Sequence, residues 1–481
     1  MVDYVLGIDL GTSGVKAGVL NPATLKLDCV SIREYPDSPE QDPDVLWGQT
    51  IEAVRDSMRM FGARGRVKAI GLSGQMHGAV LYDADGMLIR PIITWKDEKR
   101  GTKTIIEKMN RIAGSRARDE LGTEVSSGYS GAILLGIKEY DPDLFRRIAH
   151  FVLPVDFLRG NLLGKNNYAT DQTNAFGTGL FNTKLNRWHE ELIRELQLPL
   201  NIFPEVHETS RKSGVISEGK AQLLGLQKGI PIIYGGGDNQ MSMLGSGLVG
   251  PDSPVLINIG TAAQISRVIA QYQKYPGLDT RSYLHGSFAI VGASLAGGGS
   301  YEWLREEFKK EGIAIDYDEM DELASRVPPG ADGLFFCSGP TRRNPNRPRG
   351  FYGNTDGRNN LARRARAVME GVLMDLDAPY QILGRDDSHN FTIGSGKGLQ
   401  KSRVWSQIAA DLLGTCVRIT DFENAVCGAA MMAALSVGDI TNLEEAAKSI
   451  AYVIEKVPEQ AKASYYRDEF VHAWYAKVGE V

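Results

Sequence analysis

The chain has 481 residues, 42% of them hydrophobic, and a formal net charge of -5. That length exceeds what one compact core holds and predicts two domains. The mild acidity offers no basic surface for nucleic acid or an anionic membrane, so neither partner is expected. Cys29, Cys337, Cys416 and Cys427 form no C-x-x-C pair, which argues against a disulfide framework or a zinc site and for free thiols in a reducing cytoplasm. No basic-then-apolar leader opens the sequence and no run of about 18 apolar residues occurs, so neither a signal peptide nor a membrane span is expected.

In chain order, Tyr4 to Leu10 reads as a buried strand ending in Gly11-Thr12-Ser13-Gly14, with a second strand over Val15 to Leu20. A helix follows. Asp42 can cap it, Pro43 suits its first position, and Leu46, Trp47, Ile51, Val54, Met58 and Phe61 recur at helical spacing. Val67 to Leu72 reads as a strand running into Ser73-Gly74-Gln75-Met76-His77-Gly78. Strands and helices keep alternating beyond it, which predicts an α/β fold.

Val5 to Ser13 resembles Val255 to Ala263: each is an apolar strand with a polar residue near its end, then Gly-Thr and a small residue. Two halves that each open on such a hairpin imply a duplicated domain. The Gly, Pro, Ser and Asp cluster near Gly245 to Pro254 divides the chain into 1–248 and 249–481.

A Gly-Thr turn exposes backbone N–H groups to a close-approaching anion. Gly11, Thr12 and Ser13 from one half, with Gly260 and Thr261 from the other, could grip a polyphosphate from both sides. Asp9 could hold Mg²⁺ through water, and Lys16 adds positive charge beside the turn. Further glycine clusters follow strands at Gly235 to Gly237, Gly297 to Gly299 and Gly394 to Gly398, where α/β sheets place ligands. No Walker A motif is present, which argues against a P-loop enzyme.

Phosphoryl transfer to an alcohol needs a group to take the hydroxyl proton. Asp238 follows three glycines and is the candidate base, with Asn239 and Gln240 beside it to bond hydroxyls. The competing reading is an Asp that caps a helix beginning around Met241. Gln75 and His77 can read hydroxyls while Met76 offers an apolar face. Trp95 can stack on a sugar and Asp97 can bind hydroxyls, although a lone Trp is more often core.

These residues resemble the FGGY family of carbohydrate kinases, within the actin-like ATPase superfamily, over nearly the whole chain. Gly7 to Ser13 resembles the first phosphate turn, Ser73 to Gly78 the substrate turn of ketose kinases, and Gly237-Asp238-Asn239 the catalytic segment. Asn258 to Thr261 resembles the second phosphate turn, Gly394-Ser395-Gly396 the adenosine-side loop, and Glu423 to Ala434 the last helix behind it.

The resemblance implies two RNase H-like domains around a cleft, with ATP and Mg²⁺. Asp238 would be the base, and it and Asp9 would lie near the metal. Gln75, Met76, His77, Trp95, Asp97, Asp238 and Asn239 would hold the sugar. Gly11, Thr12, Ser13, Lys16, Gly260, Thr261, Gly298, Gly394 and Gly396 would hold ATP.

Within the family, Thr94 to Asp97, Gln240 and Val291 to Leu295 resemble sedoheptulokinases, which favours a seven-carbon ketose and leaves D-xylulose as the alternative. Ser130 to Leu134, the arginines before Ala367 and the Ser338 to Arg343 segment depart from the family signatures. A sugar-binding regulator and an actin-like filament ATPase stay open as other classes. A homodimer is admitted, although nothing in the sequence decides the oligomeric state.

Overall fold

The computed structural model describes residues 3–294, 296–340, 346–354, 360–384 and 388–479. Leu295 and Thr341 to Arg343, which belong to two of the segments singled out above, lie outside them.

The apolar runs become the centres of two sheets. In the first, Asp3–Leu10 pairs antiparallel with Gly14–Asn21 and parallel with Arg66–Gly74; Lys26–Glu34 extends one side, and Pro231–Ile233 and Lys212–Val215 the other. In the second, Leu256–Ile259 pairs antiparallel with Ala263–Ile269 and parallel with Phe391–Ser395. Phe288–Ser294 then lies outside Ala263–Ile269, and Cys416–Ile419 and Ile454–Lys456 extend the far side.

Order and direction match strand for strand, so the repeat seen in two short segments extends across both sheets. The second sheet adds one strand, Asp279–Ser282, beyond Phe288–Ser294.

Helix Pro43–Phe61 forms as its start signals require: Asp42 accepts from the Asp44 N–H at 2.8 Å and Pro43 opens the first turn. Leu46, Val54 and Phe61 are fully buried, while Trp47, Ile51 and Met58 pack at the margin of the same core. Helix Asp238–Gly245 begins three residues earlier than Met241. All four cysteines are free thiols. Among the described residues no helix is long and apolar enough to cross a membrane.

Two helices join the halves. Helix Asn424–Ser436 lies against both the first sheet and helix Asp238–Gly245, and their side chains share one core with strands of the second sheet. Its small residues permit a close crossing. A Cβ on Gly71 would sit 1.9 Å from the Ala429 carbonyl oxygen, and one on Gly428 would sit 2.0 Å from that of Met241. Because the obstacles are backbone atoms, Gly71→Val should lower stability by at least about 3 kcal/mol through overpacking. A urea midpoint equal to that of the unaltered protein would mean that the helix can retreat.

Candidate active site

The first turn closes where Asp3–Leu10 ends. The Gly11 N–H donates to the Gly14 carbonyl at 2.9 Å, and the Tyr35 hydroxyl also donates to that carbonyl, at 3.2 Å. The Gln41 amide donates to the Thr12 carbonyl at 2.5 Å, and the Trp95 indole N–H donates to Thr12 Oγ1 at 2.7 Å. Trp95 is 41% exposed. Asp9 is buried. Ser73 Oγ donates to Asp9 Oδ1 at 2.7 Å, while Lys16, directly across the hairpin, stands 3.9 Å from Oδ2.

The substrate turn leaves the neighbouring parallel strand, Arg66–Gly74. The Gln75 N–H donates to the Leu10 carbonyl at 2.8 Å, and its side-chain amide donates to Gln41 Oε1 at 3.1 Å, leaving Gln75 Oε1 buried without a partner. His77 takes a left-handed backbone conformation, φ 68°, and its ring stacks on Tyr129 at 4.3 Å between centroids. Its Nδ1 lies 2.6 Å from the Gly177 carbonyl. A carbonyl only accepts, so Nδ1 carries the hydrogen and Nε2 is left as an acceptor. Burial pushes the imidazole down to about 4, against the pull of that carbonyl, and the ring is neutral near pH 7.

Asp238 is the first residue of its helix, its carboxylate accepts from the Asn239 backbone N–H at 2.7 Å, and the Met76 backbone N–H lies near enough to favour its charged form. The cap reading of Asp238 does not hold, because Gly237 occupies the cap position and no side chain caps the helix; Asp238 stands one residue further in, next to the substrate turn. Burial pushes its carboxyl up to about 7 and repulsion from Asp9 adds to this, against those two N–H groups and Lys16. Such a carboxyl is matched to proton transfer near neutral pH.

Asn239 faces the other half of the molecule. Its amide donates to Gln264 Oε1 at 2.6 Å, and its Oδ1 accepts from Arg281 at 2.9 Å. Behind Asp238, the Gly237 N–H donates to Thr173 Oγ1 at 2.8 Å, and Thr173 in turn bonds Asp171.

The second turn is one residue tighter than the first, with the Gly260 N–H donating to the Ala262 carbonyl at 3.0 Å. Helix Gly298–Lys310 starts against it: the Gly298 and Gly299 N–H groups donate to the carbonyls of Gly260 and Thr261 at 2.7 and 3.0 Å. Gly396 turns at φ 87°, and a Cβ there would sit 2.3 Å from Asn258 Oδ1. Glu423 ties the loops together, pairing with Lys16 at 3.0 Å and with Lys397 at 2.8 Å.

Two expected contacts fall elsewhere. Asp97 is fully buried, and its carboxylate is occupied by the Arg100 guanidinium at 2.7 Å and the Arg100 backbone N–H at 2.9 Å, so it supports the Trp95 turn from behind and presents no free oxygen to a sugar. Gly394 lies within strand Phe391–Ser395, paired on both sides with Ile257 and Ile419, so ladder bonding rather than a ligand occupies its backbone. Gln41, Gln264 and Arg281 join the site without having been expected there, while Ser73, the first residue of the expected substrate turn, bonds Asp9. Gln264 had a usable signal, lying three residues past Thr261 on the strand that leaves the second turn.

Among the described residues, no three His, Cys, Asp or Glu side chains converge on a metal position. Asp9 and Asp238, both in the N-terminal half, repel one another, and a divalent cation held also by phosphate and water would relieve that repulsion, so the donor set fits one.

Two duplicated sheets with a phosphate-type turn from each, and a neutral-poised carboxyl between them, define a two-domain α/β phosphotransferase of the actin-like ATPase kind. Models of the N-terminal and C-terminal domains of the FGGY family of carbohydrate kinases match residues 4–245 and 256–437, and the chain belongs to that family. It is a sugar kinase, and sugar kinases of this family use ATP with a divalent metal.

The chain is 28% identical to the xylulose kinase of Bacillus subtilis (strain 168) over 464 residues, 92% of this chain and 90% of that one. It is also 28% identical to the xylulose kinase of Staphylococcus xylosus over 484 residues, 97% and 98% of the two chains. A crystal structure of a xyloylose kinase from Brucella ovis superposes with a TM-score of 0.85 at 26% identity, covering 98% of both chains. The ligand-bound xylulose kinase from Lactobacillus acidophilus shares the fold, with a TM-score of 0.87 at 22% identity over 98% and 97% of the chains.

Proposed function

We propose that the protein is a cytoplasmic ATP- and Mg²⁺-dependent kinase that phosphorylates the terminal hydroxyl of a ketose, with D-xylulose as its principal acceptor. One observation carries this reading: Met76 of the substrate turn packs against the residue before Asp238, where a Cβ on Gly237 would sit 2.6 Å from Met76 Cγ, so the sugar-reading segment and the base adjoin in the cleft. The N-terminal domain, residues 1–248, supplies the sugar side, and residues 249–481 supply most of the nucleotide side.

Gln75 Oε1 and His77 Nε2, both available acceptors, take hydrogens from sugar hydroxyls. Met76 and the exposed Trp95 face the carbon chain. Asp238 takes the proton from the terminal hydroxyl as its oxygen attacks the γ-phosphorus. Turn N–H groups at Thr12, Ser13 and Thr261 receive the phosphate oxygens, and the Gly11 and Gly260 N–H groups close the turns that present them. Lys16, held by Glu423, adds its charge, and Gly298 and Gly396 border the adenosine side. Asp9 and Asp238 would hold the divalent cation, which neutralises phosphate charge when bound. Residues from both halves meet at Asn239, so closing the cleft assembles the site and excludes water, the competing acceptor.

A five-carbon acceptor is favoured over the seven-carbon one expected from sequence. Of the residues that pointed to sedoheptulose, Asp97 is paired with Arg100, and the Gln240 side chain is buried and donates to the Ser282 carbonyl at 3.3 Å, behind the pocket. The full-length curated relatives, named xylulose kinases, agree. ADP release should be measured with D-xylulose, D-ribulose and sedoheptulose. D-Xylulose is expected to give the highest kcat/KM, by about tenfold or more, the scale of pocket-size discrimination. A preference for sedoheptulose would reverse the assignment of the sugar, and turnover of none of the three would overturn the ketose reading.

A further inference from the structure

Arg281 reaches the sugar side of the cleft from the C-terminal half. It stands on strand Asp279–Ser282, with its side chain 13% exposed. Its Nη2 pairs with Asp279 at 3.0 Å, its Nη1 donates to Asn239 Oδ1 at 2.9 Å, and the guanidinium lies 5.8 Å over the Phe176 ring. Its charge also reaches His77. The Nε–H is buried without a partner, and a charged donor left unmet is costly. The Asn239 bond crosses between the halves, so any opening that admits a sugar must break it and free further N–H groups beside His77.

We propose that Arg281 is a specificity-determining residue that donates to the ketone oxygen of the acceptor; this rests on the ketose reading above. The chemistry of the two side chains carries it. Arginine only donates, whereas His77 Nε2, with its hydrogen fixed on the other nitrogen, only accepts. A hydroxymethyl ketone offers the complement: a carbonyl that only accepts, next to a hydroxyl that can donate. An alditol has a hydroxyl where the carbonyl was; it can accept from the guanidinium only with its hydrogen turned aside, and that hydrogen then needs a further acceptor that the ketone oxygen does not. Asp279 neutralises the guanidinium, so the position does not call for a carboxylate.

The test compares kcat/KM for D-xylulose and xylitol in the unaltered enzyme, Arg281→Met and Arg281→Lys, with thermal melting as the check on folding. The unaltered enzyme should prefer the ketose. Arg281→Met should lower kcat/KM for D-xylulose about 10²-fold more than for xylitol, mostly through KM, and Arg281→Lys should restore part of the difference. Equal fractional losses on both acceptors would overturn the proposal, because a role in folding or closure does not distinguish them. So would turnover of D-gluconate that Arg281→Met abolishes, which would make the group an anion reader. An unaltered enzyme active on xylitol but on no ketose would fail the underlying reading, and that result appears before any variant is made.

Discussion

Asp238→Asn should lower kcat by between about 10² and 10⁴ while leaving sugar affinity within a few-fold of the unaltered enzyme, the range expected when a general base is removed from a positioned site. The substitution suits the test because it is nearly isosteric. The carboxamide oxygen can still accept from the Asn239 N–H that Asp238 bonds, so the helix start keeps its geometry. The variant loses both the proton acceptor and one of the two carboxyl groups that repel each other in the N-terminal half. ADP release under saturating ATP and sugar gives kcat, and calorimetric titration of the sugar gives affinity. Turnover near that of the unaltered enzyme would remove Asp238 from the chemistry. A parallel collapse of sugar affinity would assign it to binding.

What could be read from sequence divides along a physical line. The Gly-Thr turns, the substrate turn and Asp238 are local features: a strand ends, glycine allows a close approach, and a polar residue follows. Each appears in the fold at the end of the strand that predicts it. Gln264 and Arg281 depend on packing between halves, because only the crossing of helices Asp238–Gly245 and Asn424–Ser436 brings their strands to Asn239. Apolar periodicity sorts buried faces from exposed ones and does not say which polar side chain crosses a cleft. Asp97 was misplaced although its partner was in view: Arg100 lies three residues on, at a spacing that invites an ion pair. Gly394 was placed in a loop because its strand was ended at Ile393, while pairing on both sides carries that strand to Ser395. Glycine there serves packing, since a Cβ would meet Ile419 at 2.6 Å.

Removing the buried partner of the arginine that braces the catalytic loop should be the most destabilising single change outside the helix crossing. Asp156 and Arg159 have fully buried side chains and pair at 2.8 Å. Arg159 also donates to the Tyr234 carbonyl at 3.0 Å, to Asn167 at 3.1 Å and to the Ala169 carbonyl. Tyr234 leads directly into Gly235–Gly237 and Asp238, and Ala169 opens the strand that carries Asp171, the partner of Thr173. One guanidinium therefore holds both segments that set the position of Gly237.

Asp156→Ala leaves that cation buried without its counter-charge, and should cost about 3–5 kcal/mol in urea unfolding. Replacing both residues, Asp156→Met with Arg159→Met, removes the stranded charge and should recover part of the loss. It cannot recover all of it, because the Tyr234 and Ala169 carbonyls then lack a donor, each at about 1–3 kcal/mol. The double variant should accordingly be more stable than Asp156→Ala and still slower than the unaltered enzyme, with the deficit in kcat. A double variant with full kcat would show that the glycine loop holds its position without the arginine, and that the buried pair serves stability alone.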